Sequence, residues 1–455
     1  MSYSWKTFGS SKTDLLGRLG DSTFWTSTEV GFYLIESLRT YNLVAQFYHD
    51  RFFFNTQAGF CYYDLTQNTN PSSLVAGIGA NSSYLGYTIT DRNMVNQIQY
   101  HLMEPQTSIW PTWNGSEQFT MDDVVRAIER RRNQYLSLVS SHVTRSQYPY
   151  GPPPGTGRIT IDDSVIDIHR GAWLDLDLQY TPLYKEDEYN ASTLLAGWET
   201  TPSTPTMFST ILSPPKGLQL IPLSKDLGTV DILTINNPSN LDVSTGVLLN
   251  IPDDHSWIIK WGALADLLGR DSQAYDPVRS KYCEQRFEHG IQLAIADSCI
   301  YQALINNSII QAQSLNDFDS YNYNWQNETG IPTELAIISR NLIALTPTPQ
   351  DSGTSIALNV LRNVPIPSSD GDFLQISREA YDLLLDYAYH LAMFKCQGTE
   401  FQGSFPMLDR FMQSGLLNNS KLSESANSYS IMKELSSKEL MEDRRITSRE
   451  DSNDG

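Results

Sequence analysis

Phe24-Trp25-Thr26-Ser27-Thr28-Glu29-Val30 opens the stretch, running to Leu65, whose reading decides the fold. Thr26 and Glu29 stand in the Thr-x-x-Glu spacing of a capping box, with Trp25 and Val30 placed as a hydrophobic staple. Val30, Leu34, Leu38, Tyr41, Ala45 and Tyr48 then recur at helical spacing and make one apolar stripe. Arg51-Phe52-Phe53-Phe54 and Phe60-Cys61-Tyr62-Tyr63 follow, separated by a segment ending in Gly59. They predict a β-hairpin with a glycine turn. Nothing in this unit is an evident catalytic group, so it points to assembly rather than chemistry.

The unit has an echo. Phe119-Thr120-Met121-Asp122-Asp123-Val124 repeats the staple and the cap, 94 residues on (Thr26 to Thr120). Leu34 answers Ile128, Tyr41 answers Tyr135 and Val44 answers Leu138. A third helix is predicted from Arg92 to Met103, ended by Pro105. Gly151 to Gly157 reads as a proline-rich turn, after which the period changes to two, as in Arg158–Ile161 and Val165–Ile168. A second echo has a different offset, 125 residues. Leu218-Gln219-Leu220-Ile221-Pro222 is answered by Ile343-Ala344-Leu345-Thr346-Pro347, Gly228 by Gly353, Leu249 by Leu374 and Ala263 by Ala388. Each copy reads as two strands and a helix, the helices being Trp257–Leu268 and Tyr381–Phe394.

The expected class is α+β. An N-terminal helical bundle with a hairpin occupies 1–147, a β-rich portion with the first strand–strand–helix module 148–315, and the second module 316–421. A polar tail fills 422–455, where Ile431, Leu435 and Leu440 form one weak apolar stripe, a possible partner contact.

A net charge of −20 argues against a nucleic-acid clamp, which needs a basic patch. It is compatible with a wall that DNA slides past, and also with plain solubility. The first residues lack the pattern of a secretory signal, and no apolar run reaches membrane-spanning length, which predicts a protein made in a cytoplasm, with no membrane partner. Cys61, Cys283, Cys299 and Cys396 are scattered singly and predict free thiols.

Each candidate for chemistry has a simpler structural reading. Asp253 and Asp254, after Pro252, suit a helix start. Asp162-Asp163 and Asp175-x-Asp177 lack the rest of a calcium loop and read as turns or solvated strand faces. The histidines show no metal-ligand spacing, and Gly-x-Ser-x-Gly does not occur. No catalytic, cofactor or metal residue is therefore assigned. Arg130-Arg131-Arg132 is the one basic cluster. It reads as an exposed helix face with charge pairs, or as a contact for DNA or an acidic neighbour.

At this point the chain resembles a family. Asp14-Leu15-Leu16-Gly17-Arg18-Leu19-Gly20-Asp21, Phe24-Trp25-Thr26-x-x-Glu29 and Leu38-Arg39-Thr40-Tyr41-Asn42 look like the head–tail adaptors of tailed bacteriophages, the neck, connector or tail-tubular-A-type proteins. Ile251-Pro252-Asp253-Asp254 and Asp276-Pro277-x-x-x-x-Tyr282 follow in the expected order, so the resemblance covers Leu15 to His289. It implies a helical bundle carrying a β-rich portion. It also implies a non-enzymatic virion protein at the head–tail junction, assembled in the host cytoplasm. Its partners would be the portal protein, a downstream neck or tail protein, further copies of itself in a dodecameric ring, and double-stranded DNA passing without sequence recognition. The length and the second module depart from the usual pattern. The alternatives are another tail or baseplate structural protein, and a glycan-binding or glycan-cleaving tail protein. Cleavage would need two facing carboxyl groups about 5–10 Å apart.

Overall fold

The computed structural model describes residues 5–20, 24–66, 74–77, 86–103, 118–151, 158–213, 215–236, 240–271, 274–297, 300–306, 308–396 and 398–418. The chain is mixed α+β, as expected from the two hydrophobic periods. It begins with α1 (Phe8–Leu19), α2 (Ser27–Ala45), β1 (His49–Asn55) and β2 (Tyr62–Asp64), followed by the short β3 (Ala76–Gly77). The order then restarts with α3 (Asp91–Leu102), α4 (Met121–Val139), β4 (Val143–Tyr150) and β5 (Arg158–Thr160). It continues through β6 (Val165–Leu174), β7 (Tyr180–Lys185), α5 (Glu188–Leu194), β8 (Met207–Ile211), β9 (Gly217–Ile221) and β10 (Gly228–Asn236). Helices α6 (Ser256–Leu268) and α7 (Pro277–Ala296) close this run. The same series then resumes with β11 (Ile300–Ile305), β12 (Ser308–Gln313), α8 (Leu315–Tyr321), β13 (Thr329–Gly330), β14 (Glu334–Ile337), β15 (Leu342–Thr346), β16 (Thr348–Pro349) and β17 (Ser355–Leu361). It ends in α9 (Arg378–Cys396), α10 (Gly398–Gly403) and α11 (Phe405–Asn418).

One topology therefore occurs twice, and one copy is nested inside the other. The inner copy runs unbroken from α3 to α7, while the outer copy is split by it between β3 and β11. Sheet order in the inner copy is β4-β10-β6-β7-β8-β9-β5, and in the outer copy β1-β17-β11-β12-β14-β15-β2-β3. Position for position the pairings agree. β7 and β8 are parallel, as are β12 and β14, and the residue separation is the same (Tyr184 with Met207, Gln311 with Glu334). The neighbouring pairs are antiparallel in both copies.

Local chemistry repeats with the topology. Thr26 and Glu29 form the expected capping box, as do Thr120 and Asp123, and both helices run for 19 residues to a left-handed cap, Gln46 or Ser140. Thr7 and Thr90 cap α1 and α3, each 12 residues long, and each threonine bridges the segment before the matching late helix (Phe373 and Leu248). Asp187 and Ser314 cap α5 and α8. Just beyond, the Trp198 indole donates to Ser192 and the Trp325 indole to Asp319, six residues back in both cases. The Ile221–Pro222 and Thr346–Pro347 peptide bonds are both cis.

The expected hairpin at the start is corrected. β1 and β2 exist, and Gly59 has a positive φ of 78°, but the two strands do not pair. β1 lies against β17, and β2 against β15 and β3. Six strand-to-strand steps separate β1 from β2. On a flat sheet that would be about 29 Å at the usual strand spacing. The chain from Asn55 to Tyr62, with a turn in it, can reach at most about 25 Å, so the sheet is curled. Phe52, Phe54, Tyr63, Ile343, Ile356 and Leu358 are buried together in its core. Tyr150, Ile168, Trp173, Phe208, Leu220 and Ile232 are buried together in the core of the inner sheet.

The division of the chain also differs from the boundaries expected at 147, 315 and 421. Two compact units form: Met1–Phe47 with Ile366–Gly455, and Tyr48–Pro365. In the first, α2 packs on α9 and α11, with α1 beside α2 and α9. In the second, α4 and α7 pack on α6, α3 lies beside α4 and α6, and both sheets belong to this unit. Nesting is the physical reason, because the helices of the outer copy come from the two ends of the chain. The strand–strand–helix echo is the late half of each copy.

Close helix packing makes one glycine indispensable. A Cβ on Gly290 of α7 would lie 2.7 Å from Ile258 and 3.0 Å from Trp257 of α6, and both neighbours are fully buried. Gly290→Val is expected to destabilise the Tyr48–Pro365 unit by about 1–3 kcal/mol through overpacking, read by urea unfolding. An unchanged midpoint would show that α6 and α7 do not approach this closely.

Candidate interaction surface and buried polar clusters

Arg130, Arg131 and Arg132 follow one another on α4, so their side chains point about 100° apart around the helix. Only Arg130 is exposed, its side chain 72% accessible and 3.7 Å from Asp266. Arg131 is buried. Its guanidinium grips Asp266 at 3.0 and 2.5 Å and Glu284 at 2.8 and 2.6 Å, tying α4 to α6 and α7. Burial opposes the Arg131 charge, but the two carboxylates outweigh it and hold its pKa above the ordinary range. Arg132 is fully enclosed, with Glu129 3.8 Å away, and burial pushes its pKa down to about 10. The reading of the cluster as an exposed face is thus corrected for two of its three members.

Arg130 and Arg131 do line a surface feature that the sequence does not announce. With Asp266, Arg270, Tyr275, Ser280 and Lys281 they bound an open basin of about 550 Å³ on α4, α6 and α7. Ala265 and Gly269 form part of its wall, and the Ser280 hydroxyl donates to the Ala265 carbonyl at 2.8 Å. Arg270 donates to Asp123 at 2.6 Å, and the Thr120 hydroxyl and Arg270 together hold the Asp123 carboxyl below its usual range. No local signal could have found the basin, since three separated elements supply it.

The paired acids serve structure. Asp253 accepts from the Thr88 amide and hydroxyl, both at 2.7 Å, and from the Ile89 amide at 3.1 Å. Asp254 accepts from the Val364 amide at 3.1 Å. They precede α6 as expected, in a single 3-10 turn, but they staple two distant loops rather than simply facing the helix end. Asp162 accepts from the Ser164 amide and Asp175 from the Gln179 amide, each inside its own turn.

Three buried clusters were not evident from spacing. The Arg145 guanidinium forks onto Asp231 at 3.0 and 2.7 Å, with Tyr180, Gln326 and the Leu74 carbonyl completing its partners. Arg170 forks onto Asp319 at 2.7 and 2.6 Å. Tyr62 joins the two clusters, its ring 4.6 Å from Arg145 and its hydroxyl 3.4 Å from Arg170. These arginines and Asp231 belong to the inner copy, and Tyr62, Asp319 and Gln326 to the outer, so the Arg170–Asp319 pair and the Tyr62 and Gln326 contacts join the two copies. In the third cluster the Tyr135 hydroxyl donates to His255 Nδ1 at 2.5 Å, and the other ring nitrogen of His255 donates to Asp297 at 3.2 Å. Arg340 bonds Asp297 and, at 3.0 Å, Asn363.

The His255 cluster sets a pH dependence. Burial, reinforced by Arg340, lowers the His255 pKa despite Asp297. Burial alone would raise the Asp297 pKa, but Arg340 and His255 outweigh it and hold it below the usual value. The unfolded chain takes up a histidine proton near pH 6.5 that folded His255 refuses. This contribution is full above about pH 6.5 and is lost as the pH falls toward the lower folded value; the Asp297 contribution is lost at more acid pH still. Between pH 6.5 and 5 stability should therefore fall by up to about 1.4 kcal/mol per pH unit from His255. His255→Gln should flatten that part of the slope. Equal slopes in thermal melts of both proteins would overturn the assignment.

Cys61 and Cys283 are free and buried and Cys396 is free and partly buried, while Cys299 lies outside the described residues. Ile431, Leu435, Leu440, Pro105 and most of the Gly151–Gly157 turn also lie outside them. Among the described residues no three His, Cys, Asp or Glu side chains are grouped to hold a metal ion, and no helix is long and apolar enough to cross a membrane. Compared with models of protein families and with curated proteins, the chain matches none.

Proposed function

We propose that this chain is a structural component of a phage neck: a head–tail adaptor that forms a ring joining the portal to the tail around the DNA channel. The sequence resemblance suggests the reading. One structural observation supports it. The buried arginines and carboxylates are used to fasten segments together, while large apolar side chains are left at the surface. Tyr189 and Leu194 on α5, Tyr321 at the C-terminal end of α8 and Tyr323 just after it are 80%, 65%, 83% and 56% exposed. Exposed apolar and aromatic side chains on the corresponding short helices of two copies suit contacts with neighbouring subunits. The test is assembly. Replacing Tyr189 and Tyr321 with serine should leave the fold intact by circular dichroism and weaken ring formation in sedimentation. Rings of unchanged stability would remove these surfaces from the proposal.

A further inference from the structure

The nested copies differ at one place in a way that points to a ligand. In the outer copy, α10 lies between α9 and α11 and inserts Phe401, which is 3% exposed. Its ring centroid is 5.3 Å from His390, 5.3 Å from Phe394 and 5.2 Å from Phe405. At the shared offset of 125, these three residues correspond to Ala265, Gly269 and Ser280 of the inner copy. The contacts confirm the register: Phe405 packs on His390 at 5.4 Å, just as Ser280 bonds Ala265. Ala265, Gly269 and Ser280 all line the open basin. The inner copy has no helix between α6 and α7 among the described residues, and Tyr275 at the basin edge stays 55% exposed instead of filling it. Where the outer copy carries its own plug, the inner copy has small residues and an open space.

We infer that this basin receives an aromatic side chain presented by a short acidic segment of another polypeptide. The aromatic preference follows from Phe401, which fills the equivalent position. The acidic preference follows from charge: four cations, Arg130, Arg131, Arg270 and Lys281, outnumber the two carboxylates, Asp266 and Glu284, that line the basin of a chain whose net charge is −20. The plug of the outer copy has the same character, Glu400 preceding Phe401. The inference does not depend on the ring proposal.

The test uses the full chain and a fluorescein-labelled peptide of Gly398 to Pro406, followed by fluorescence anisotropy. Saturable binding is expected, weakened at least about tenfold by Phe401→Ala in the peptide and by added salt. Two protein variants assign the site. Ala265→Phe fills the basin and should abolish binding. As a control on folding, Arg130→Glu with Lys281→Glu, both exposed positions, should weaken binding at least about tenfold in a protein of unchanged circular dichroism. No saturable binding, or binding that survives the charge reversal or does not need the aromatic ring, would overturn the inference.

Discussion

Asp231→Ala is expected to destabilise the Tyr48–Pro365 unit by about 3–5 kcal/mol, among the largest effects of any single change in this chain. The Asp231 side chain is 2% exposed and that of Arg145 7%, so neither charge can turn to water. Removing the carboxylate strands the guanidinium in the interior with only neutral partners: Tyr180, Gln326 and the Leu74 carbonyl. The penalty is that of an uncompensated buried charge, not the net worth of the pair. The double variant Arg145→Met with Asp231→Leu, which removes both charges, should therefore recover most of the loss. Urea unfolding followed by tryptophan fluorescence reads both. A single variant within about 1 kcal/mol of the parent would mean that the pair is solvated.

Trp325→Ala should cost a comparable amount, about 3–5 kcal/mol, as expected for emptying a large buried site. The residue is 1% exposed, packs edge-on against Tyr62 and Phe318 at 5.7 and 5.2 Å, and donates to Asp319 at 3.0 Å. Asp319 in turn holds Arg170, so the loss spreads into the contact between the two sheets. Its counterpart, Trp198, is 7% exposed and its indole donates to the Ser192 hydroxyl, to which no arginine is bonded among the described residues. Trp198→Ala should therefore cost measurably less. Equal costs in parallel thermal melts would show that the Asp319–Arg170 link contributes nothing.

The contrast between these tryptophans shows how the two copies diverged in use. The helix cap and the indole bond recur in both. Only the outer copy placed an acid at the receiving position, and only there does an arginine of the other sheet arrive. The Arg170–Asp319 pair thus lies where the copies meet, while the repeated features maintain each copy alone.

What the sequence disclosed was local. The capping boxes at Thr26 and Thr120 set helix starts that the structure reproduces, because a cap is satisfied within four residues. Strand positions were legible from period-two alternation. Pairing was not: β1 and β2 look like a hairpin, yet their partners lie some 300 residues away in the chain. The nesting was present in the numbers as two offsets, 94 for the early helices and 125 for the late strands. A simple tandem repeat would show one offset; an inserted copy shifts the two halves of its host differently. Leu138 shows the limit of matching by sequence. It answers Val44, but Val44 is buried against Gly415 of α11, whereas Leu138 is 52% exposed. The arginine run misled for a geometric reason: three consecutive helical residues cannot share one face.

The proposal that this is a ring-forming head–tail adaptor is tested most directly by negative-stain imaging of the purified chain, alone and mixed with the portal protein of the same phage. Rings with a central channel that seat coaxially on the portal are expected. A protein that stays monomeric in both samples and never binds the portal would contradict it.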